Sequence, residues 1–234
     1  MKGKDRAVVA YEVVRSRRET ADIIIERDGS VLVRAPHWAD DEKIRAIIAS
    51  RQLWIFKSLA EWRELNASRV LREYKNGEGF LYLGRAYRLL VVEKQDEPLL
   101  LGDDRFTLRK SLLKGGKAAA AKDAFRDFYI SRGKEWLTRR VQYFVPKIGA
   151  IARVVDVREL GNRWASCSSA GKLAFHWKCM MAPPTIIDYI VVHELCHVRH
   201  RDHTDAFWNE VDKVMPAFRE RKEWLRKNGA GLDV

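Results

Sequence analysis

The feature that most constrains this chain is the stretch Ile190-Val191-Val192-His193-Glu194-Leu195-Cys196-His197-Val198-Arg199-His200-Arg201-Asp202-His203. It contains H-E-x-x-H, and on a helix four residues is a rotation of about 400°, so His193 and His197 share a face, about 40° apart and roughly 6 Å along the axis. That spacing suits chelation of one metal ion, with Glu194 flanking the face and placed to touch a metal-bound water without being a ligand itself. Ile186, Ile187, Ile190, Val191, Val192, Leu195 and Val198 make this segment apolar nearly all round, which predicts a central, buried helix. Polar side chains on such a helix need partners, and a metal supplies them.

A third ligand is required, and two histidines compete for the place. His200 is on the same face as His193, but on a continuing helix it lies roughly 10 Å further along, too far to share the ion. His203 serves if the helix stops near His200 and the chain folds back. Thr204 offers a reason for the stop, because as an N-cap it would start a new helix in which Phe207, Trp208, Val211 and Met215 recur at helical spacing. Glu210 on that helix is the fallback ligand.

Composition bounds the rest. A chain of 234 residues with 47% hydrophobic content buries a full core, in one domain or two small ones. The net charge of +12 and pI near 9.7 favour anionic partners, nucleic acid or nucleotide among them, without choosing one. Three cysteines with no C-x-x-C pair argue against a disulfide framework and against a Cys-ligated zinc, and fit a reduced, cytoplasmic protein. The apolar run after the first basic residues is too short for a secretory signal, and no apolar stretch is long enough to span a membrane.

Taken in order, Val8 to Val14, Ala21 to Ile25 and Val31 to Arg34 read as strands, with Asp28-Gly29 as a hairpin turn. Asp40 caps a long helix carrying Ile44, Ile47, Ile48, Ile55, Leu59 and Trp62. Short strands follow at Phe80 to Leu83, Tyr87 to Val92, Leu99 to Leu101 and Phe106 to Leu108, suggesting a small antiparallel sheet or open barrel. Lys110 to Gly116, basic and glycine-containing, is the expected domain boundary. A helix from about Lys117 to Phe144, ended by Pro146, then leads to strands at Val154 to Leu160 and Leu173 to Met180. The glycine-bounded loop from Gly161 to Gly171 joins these two as a hairpin, and Pro183-Pro184 pre-sets the start of the helix carrying His193.

Arg163-Trp164-Ala165-Ser166-Cys167-Ser168, Ala182-Pro183, the run Asp188 to His197, His203 and Phe207-Trp208 carry a resemblance. In these residues the chain resembles the YgjP-like family, relatives of SprT-like zinc metallopeptidases, closely over about Gly161 to Pro216 and more loosely before it. Ala165 stands where that family has glycine, and His176 where it has asparagine. The resemblance implies one zinc ion held by His193, His197 and His203 with water in the open position. It implies an α+β fold: an N-terminal antiparallel β-rich domain with one long helix over residues 1–112, and a zincin-like metallohydrolase domain with a small sheet over 113–234. Chemistry agrees, since three neutral imidazoles leave zinc its full charge to acidify water, and Glu194 would take the proton and deliver it to the leaving group. Tyr189, Arg163 and His176 are candidate donors to transition-state charge, and Trp164 a candidate wall of the substrate site. A peptide or unfolded protein laid along the edge of the strand Leu173 to Met180 is the expected substrate. The alternatives are a zinc-dependent hydrolase of a phosphoanhydride such as a nucleoside triphosphate, and a nucleic-acid-associated protease using the basic helix Phe218 to Lys227.

Overall fold

The structure, a computed structural model, describes residues 9–26, 29–66, 71–116, 118–168 and 170–234. Val8, Asp28, Lys117 and Ser169, which figure in the expectations above, lie outside the described residues. The chain forms two compact units, Met1–Arg69 and Val70–Val234.

In the first unit, β1 (Glu12–Ser16), β2 (Asp22–Ile25) and β3 (Val31–Pro36) pair in the order β1-β3-β2. The hairpin of β2 and β3 is antiparallel as expected, but β1 runs parallel to β3, so this sheet is mixed. The cause is burial. Val31, Val33 and Ala35 make β3 the most apolar of the three strands, and it takes the central place with a partner on each side. Asp40 accepts the backbone N–H of Lys43 at 2.7 Å and so caps α1 (Asp41–Asn66), whose Ile44, Ile48 and Ile55 pack with those β3 residues in one core.

The second unit opens with β4 (Gly79–Tyr82), β5 (Arg85–Val92), β6 (Leu99–Leu101) and β7 (Arg105–Arg109), ordered β4-β5-β7-β6. Because β5 and β7 are parallel, this is an open mixed sheet and not the expected antiparallel sheet or barrel. Phe80, Leu89, Phe106 and Leu108 share one core with Phe125, Tyr129 and Leu137 of α2 (Ala119–Ile148), and the Tyr129 hydroxyl donates to the carbonyl of Leu81 at 2.6 Å. The boundary expected at residues 112 and 113 therefore falls inside this unit. Lys110–Gly116 is a 3-10 segment between a sheet and a helix that bury the same apolar surface. Pro146 lies within α2 instead of ending it: so near the C-terminus it forfeits a single backbone hydrogen bond, while Ile148 is buried and Gly149, at φ 66°, closes the helix in the left-handed conformation.

The third sheet is β8 (Val154–Arg158), β9 (Ala165–Cys167) and β10 (Lys172–His176), ordered β8-β10-β9. It departs from the expected hairpin. β8 and β10 are parallel, and the antiparallel partner of β10 is β9, formed inside the loop. Burial on both faces again selects the centre, since Leu173, Ala174, Phe175 and His176 are all buried and β10 needs a neighbour on each side. The strand also stops early, and Trp177–Met181 turns into a 3-10 helix because the His176 ring accepts the Lys178 N–H at 3.1 Å.

α3 (Pro184–Cys196) starts with Pro184 in its first turn, as expected, and is buried along nearly its whole length. Two contacts set its position. Arg140 of α2 grips Asp188 of α3 in a two-pronged ion pair at 2.7 and 2.8 Å. The β4–β5 turn docks on the chain entering α3, with Leu83 N–H donating to Met180 O at 2.8 Å and Gly84 N–H to Met181 O at 3.2 Å. α4 (Asp205–Val214) and α5 (Phe218–Asn228) follow, and the buried segment Leu232 to Val234 is held by Arg72, which donates to the Asp233 carbonyl, and by Lys178, 3.0 Å from the Asp233 carboxylate.

Candidate active site

The last turn of α3 carries His193 and Glu194, and His197 is its C-terminal cap. The helix ends there because the chain tightens, with Val198 N–H donating to Leu195 O and Arg199 N–H to Cys196 O, both at 3.1 Å. The turn swings His203 back. Its Nε2 lies 3.0 Å from His193 Nε2, and His197 Nε2 lies 3.2 Å from the same atom. One nitrogen from each of the three rings falls within a span of 4.8 Å.

Phe207, fully buried on the first turn of α4, is the wall on which these rings rest, with ring centroids 5.0, 4.6 and 4.8 Å from His193, His197 and His203. Thr204 occupies the N-cap position of α4 in extended backbone, but its side chain makes no capping hydrogen bond. Asp205 in the first turn complements the helix dipole there.

Electrostatics favour neutral rings. Burial, then the charges of His197, His203 and Lys222, holds His193 well below the ordinary imidazole range. Burial lowers His197 and His203 as well, with the His200 carbonyl working the other way on His197. That carbonyl lies 3.0 Å from His197 Nδ1, so Nδ1 carries the proton and Nε2 presents its lone pair to the cluster. His193 Nδ1 is buried with no hydrogen-bond partner among the described residues. Three converging neutral imidazole nitrogens with no carboxylate among them match the borderline-soft divalent ions, zinc above all.

Glu194 is 6% exposed and next in sequence to His193. Burial lifts its carboxyl to about 8, with the positive charge of Arg163 pulling the other way. Tyr189, one turn earlier on α3, packs edge-on to His193 at 5.9 Å, and burial, then the charge of Glu194, raises its phenol so that it stays protonated.

Two other expected contacts are spent on structure. His176 Nε2 is bonded to Glu159 Oε1 at 2.7 Å and its Nδ1 to the Lys178 N–H, while Glu159 Oε2 also accepts the Trp177 indole N–H at 2.8 Å. Both ring nitrogens of His176 are thus engaged within the fold, Nε2 by the Glu159 carboxylate and Nδ1 by the Lys178 N–H. Trp164 is part-buried, its carbonyl accepting from His176 N–H and the Cys179 thiol, and its ring edge packs so closely on Gly229 that a Cβ there would come within 2.7 Å. It is an anchor for the loop before β9. His200 contributes its carbonyl and not its ring, and Glu210 is paired with Arg199 at 3.0 Å and Lys213 at 3.4 Å, away from the cluster. Glu159 and Lys222 were not expected from the sequence. The first acts 17 and 18 residues away in the chain, and the second is one of five cations on a basic helix.

A three-histidine cluster at the end of a buried helix, with a glutamate beside it, is the arrangement of a metal-dependent hydrolase. The chain belongs to the YgjP-like metallopeptidase domain family, whose family model matches residues 19–228. Among solved structures it is similar to the metallopeptidase zymogen abylysin of Pyrococcus abyssi, at 23% identity and a TM-score of 0.38, over 42% of this chain and 99% of that one. No curated protein matches the chain. Among the described residues, no helix is long and apolar enough to cross a membrane.

Proposed function

We propose that this protein is a zinc-dependent metallopeptidase in which His193, His197 and His203 hold one ion and Glu194 is the general base. The observation that carries the reading is the convergence of three imidazole nitrogens within 4.8 Å, with the buried Glu194 next in sequence to the first of them. When bound, the ion supplies a Lewis acid that acidifies water and polarises a carbonyl. Glu194, with its carboxyl ionised, would accept the water's proton and return it to the leaving amine. Tyr189 keeps its hydroxyl proton and donates to the oxyanion as the carbonyl becomes tetrahedral. Arg163, an exposed residue, places a positive charge that favours the ionised carboxylate of Glu194.

Substrate alignment falls to β9. β10 is paired on both sides and has no edge to give, whereas β9 is an edge strand packed beside α3. An extended peptide adding to β9 would gain backbone hydrogen bonds with little side-chain selectivity, which suits a peptide or unfolded protein. On α5, Glu223 pairs with both Arg226 and Lys227, which removes part of the helix's positive charge from the nucleic-acid reading.

The test is a screen of the zinc-loaded protein and its Glu194→Gln variant against casein, peptides and nucleotides. Glu194→Gln is expected to bind one zinc and to lose at least two orders of magnitude in peptide cleavage. Cleavage at the wild-type rate by a stoichiometrically zinc-loaded variant sinks the mechanism.

A further inference from the structure

Beside the three-histidine cluster a groove of about 740 Å³ runs between α4 and α5, lined in part by Trp208, Phe218, Arg219, Lys222 and Glu223. We propose that this groove takes a carboxylate-bearing residue of the substrate peptide and that Lys222 selects it; this deepens the peptidase reading above and rests on it.

Continuity is the first argument. The Trp208 ring stacks on His203 at 5.5 Å and 26° and lies 5.9 Å from His193, and Phe218 stacks on Trp208 at 5.2 Å and 13°. The aromatic floor of the groove is therefore the same surface that backs the cluster. A peptide whose reacting carbonyl sits at the histidines has a neighbouring side chain within reach of that floor.

Charge is the second. The cations around the groove are nearly all spoken for, Arg226 by Glu223 at 2.7 Å and Arg219 by Asp212 at 3.4 Å. Lys222 is the exception. Its Nζ stands 4.4 Å over the Trp208 ring, and it has no carboxylate partner among the described residues. An ammonium held over an indole keeps the N–H donors that face away from the ring for a ligand, and the ring fixes where they point. Asp205, the acid nearest the cluster end of the groove, sits in the first turn of α4, where the helix dipole favours it, and makes no ion pair with Lys222.

The occupant follows from the two together. Stacked aromatic rings offer contact to an apolar stem, and the free ammonium offers a partner to the anionic end. Glutamate, aspartate or a terminal carboxylate meets both demands, an inorganic anion meets one, and a lysine or arginine meets repulsion.

The experiment uses zinc-loaded full-length protein and peptide pairs that differ by one Glu→Gln change walked along the sequence, with a further pair that differs by free or amidated C-terminus. At one position the acid is expected to be favoured in kcat/KM by about 10-fold or more, the scale of a hydrogen bond to a charged group. A response in the walked pairs assigns a side chain, and one in the terminal pair a terminal carboxylate. Lys222→Met is expected to bring the ratio to about one, Lys222→Glu to turn the preference towards lysine-containing peptides, and Lys134→Met, an exposed charge on α2, to leave it in place. Calorimetric binding of the same peptides to zinc-loaded Glu194→Gln protein should show the same Lys222-dependent ratio in Kd. Lys222-dependent binding without wild-type cleavage keeps the groove and discards the peptidase. Cleavage without a carboxylate preference does the reverse. A preference that survives Lys222→Met, an absence of peptide binding, or a nucleoside triphosphate that binds through Lys222 where carboxylate peptides do not, overturns the proposal.

Discussion

Replacing Gly84 by alanine tests whether the β4–β5 turn sets the position of α3. Leu83 and Gly84 both have positive φ, 49° and 78°, and their N–H groups donate to Met180 and Met181 just before the helix. A Cβ on Gly84 would meet Pro183 Cα at 2.8 Å, a backbone atom that cannot rotate away. Gly77 is the internal control, since its φ is 87° but a Cβ there meets nothing within 4 Å. Gly77→Ala then costs only the left-handed strain, about 1–2 kcal/mol. Gly84→Ala adds an overlap of about 1–3 kcal/mol, or, if the turn lifts off, the loss of two backbone hydrogen bonds at about 1 kcal/mol each. The expected difference between the two variants is therefore about 2 kcal/mol, read as the shift in urea midpoint at constant slope. Zinc titration of both supplies the second reading, with weaker binding in Gly84→Ala alone. Equal destabilisation and equal zinc affinity of the two variants would refute the claim that this turn positions the histidine helix.

Phe207→Ala should cost about 3–5 kcal/mol as a fully buried aromatic truncation and should weaken zinc binding more than Phe207→Leu does, because the rings lose their common wall. Chelation of the metal is expected to lower Tm, and added zinc to restore it in proportion to the logarithm of its free concentration; His203→Ala, at an exposed position, should keep the fold and lose that response. Burial works to raise the Asp233 carboxyl, but the charge and hydrogen bond of Lys178, with Lys122 behind it, win and hold it below the ordinary carboxylate range. A group depressed in the folded state stabilises above its unfolded pKa of about 4 and stops doing so as pH falls through its folded value, so the stability deficit of Asp233→Asn, about 1–3 kcal/mol at neutral pH, should vanish on acidification. A deficit that is flat with pH would mean that the carboxylate charge contributes nothing.

What could be read in the sequence follows from the range of the interactions responsible. The α3 helix was legible because its apolar residues, its Pro184 start and its two histidines are all local facts, and His203 was a candidate because a helix that stops near His200 lets the chain fold back. The long-range pairings were not. Nothing local distinguishes a loop that forms β9 from one that merely joins two strands, and a central place for β10 depends on what covers its two faces. The clamp of Glu159 on His176 and Trp177 is equally invisible, since a carboxylate's partners are chosen by the sheet register. The boundary expected at Lys110–Gly116 rested on the same kind of local signal. Lys110–Gly116 has the composition of a linker, and only the shared core of Phe80, Phe106 and Phe125 shows that the segments it joins pack together.

The turn between α3 and α4 explains why the five-residue motif is not sufficient by itself. A continuous helix presents two imidazoles on one face and carries the next histidine out of reach, so a third ligand requires that the helix end at once and in a fixed direction. Here the ending and the ligand chemistry share the same atoms. His200 N–H bonds to Cys196 O at 2.9 Å, which folds the backbone so that His200 O faces His197 Nδ1 at 3.0 Å, and that contact selects the tautomer whose Nε2 lone pair joins the cluster. Thr204 N–H on Asp202 O at 2.8 Å then fixes the second bend, from which His203 points back and α4 departs with Phe207 beneath all three rings. His200, which spacing excludes as a ring ligand, thus acts through its backbone. The contribution of position 200 to the site is made by its backbone N–H and carbonyl.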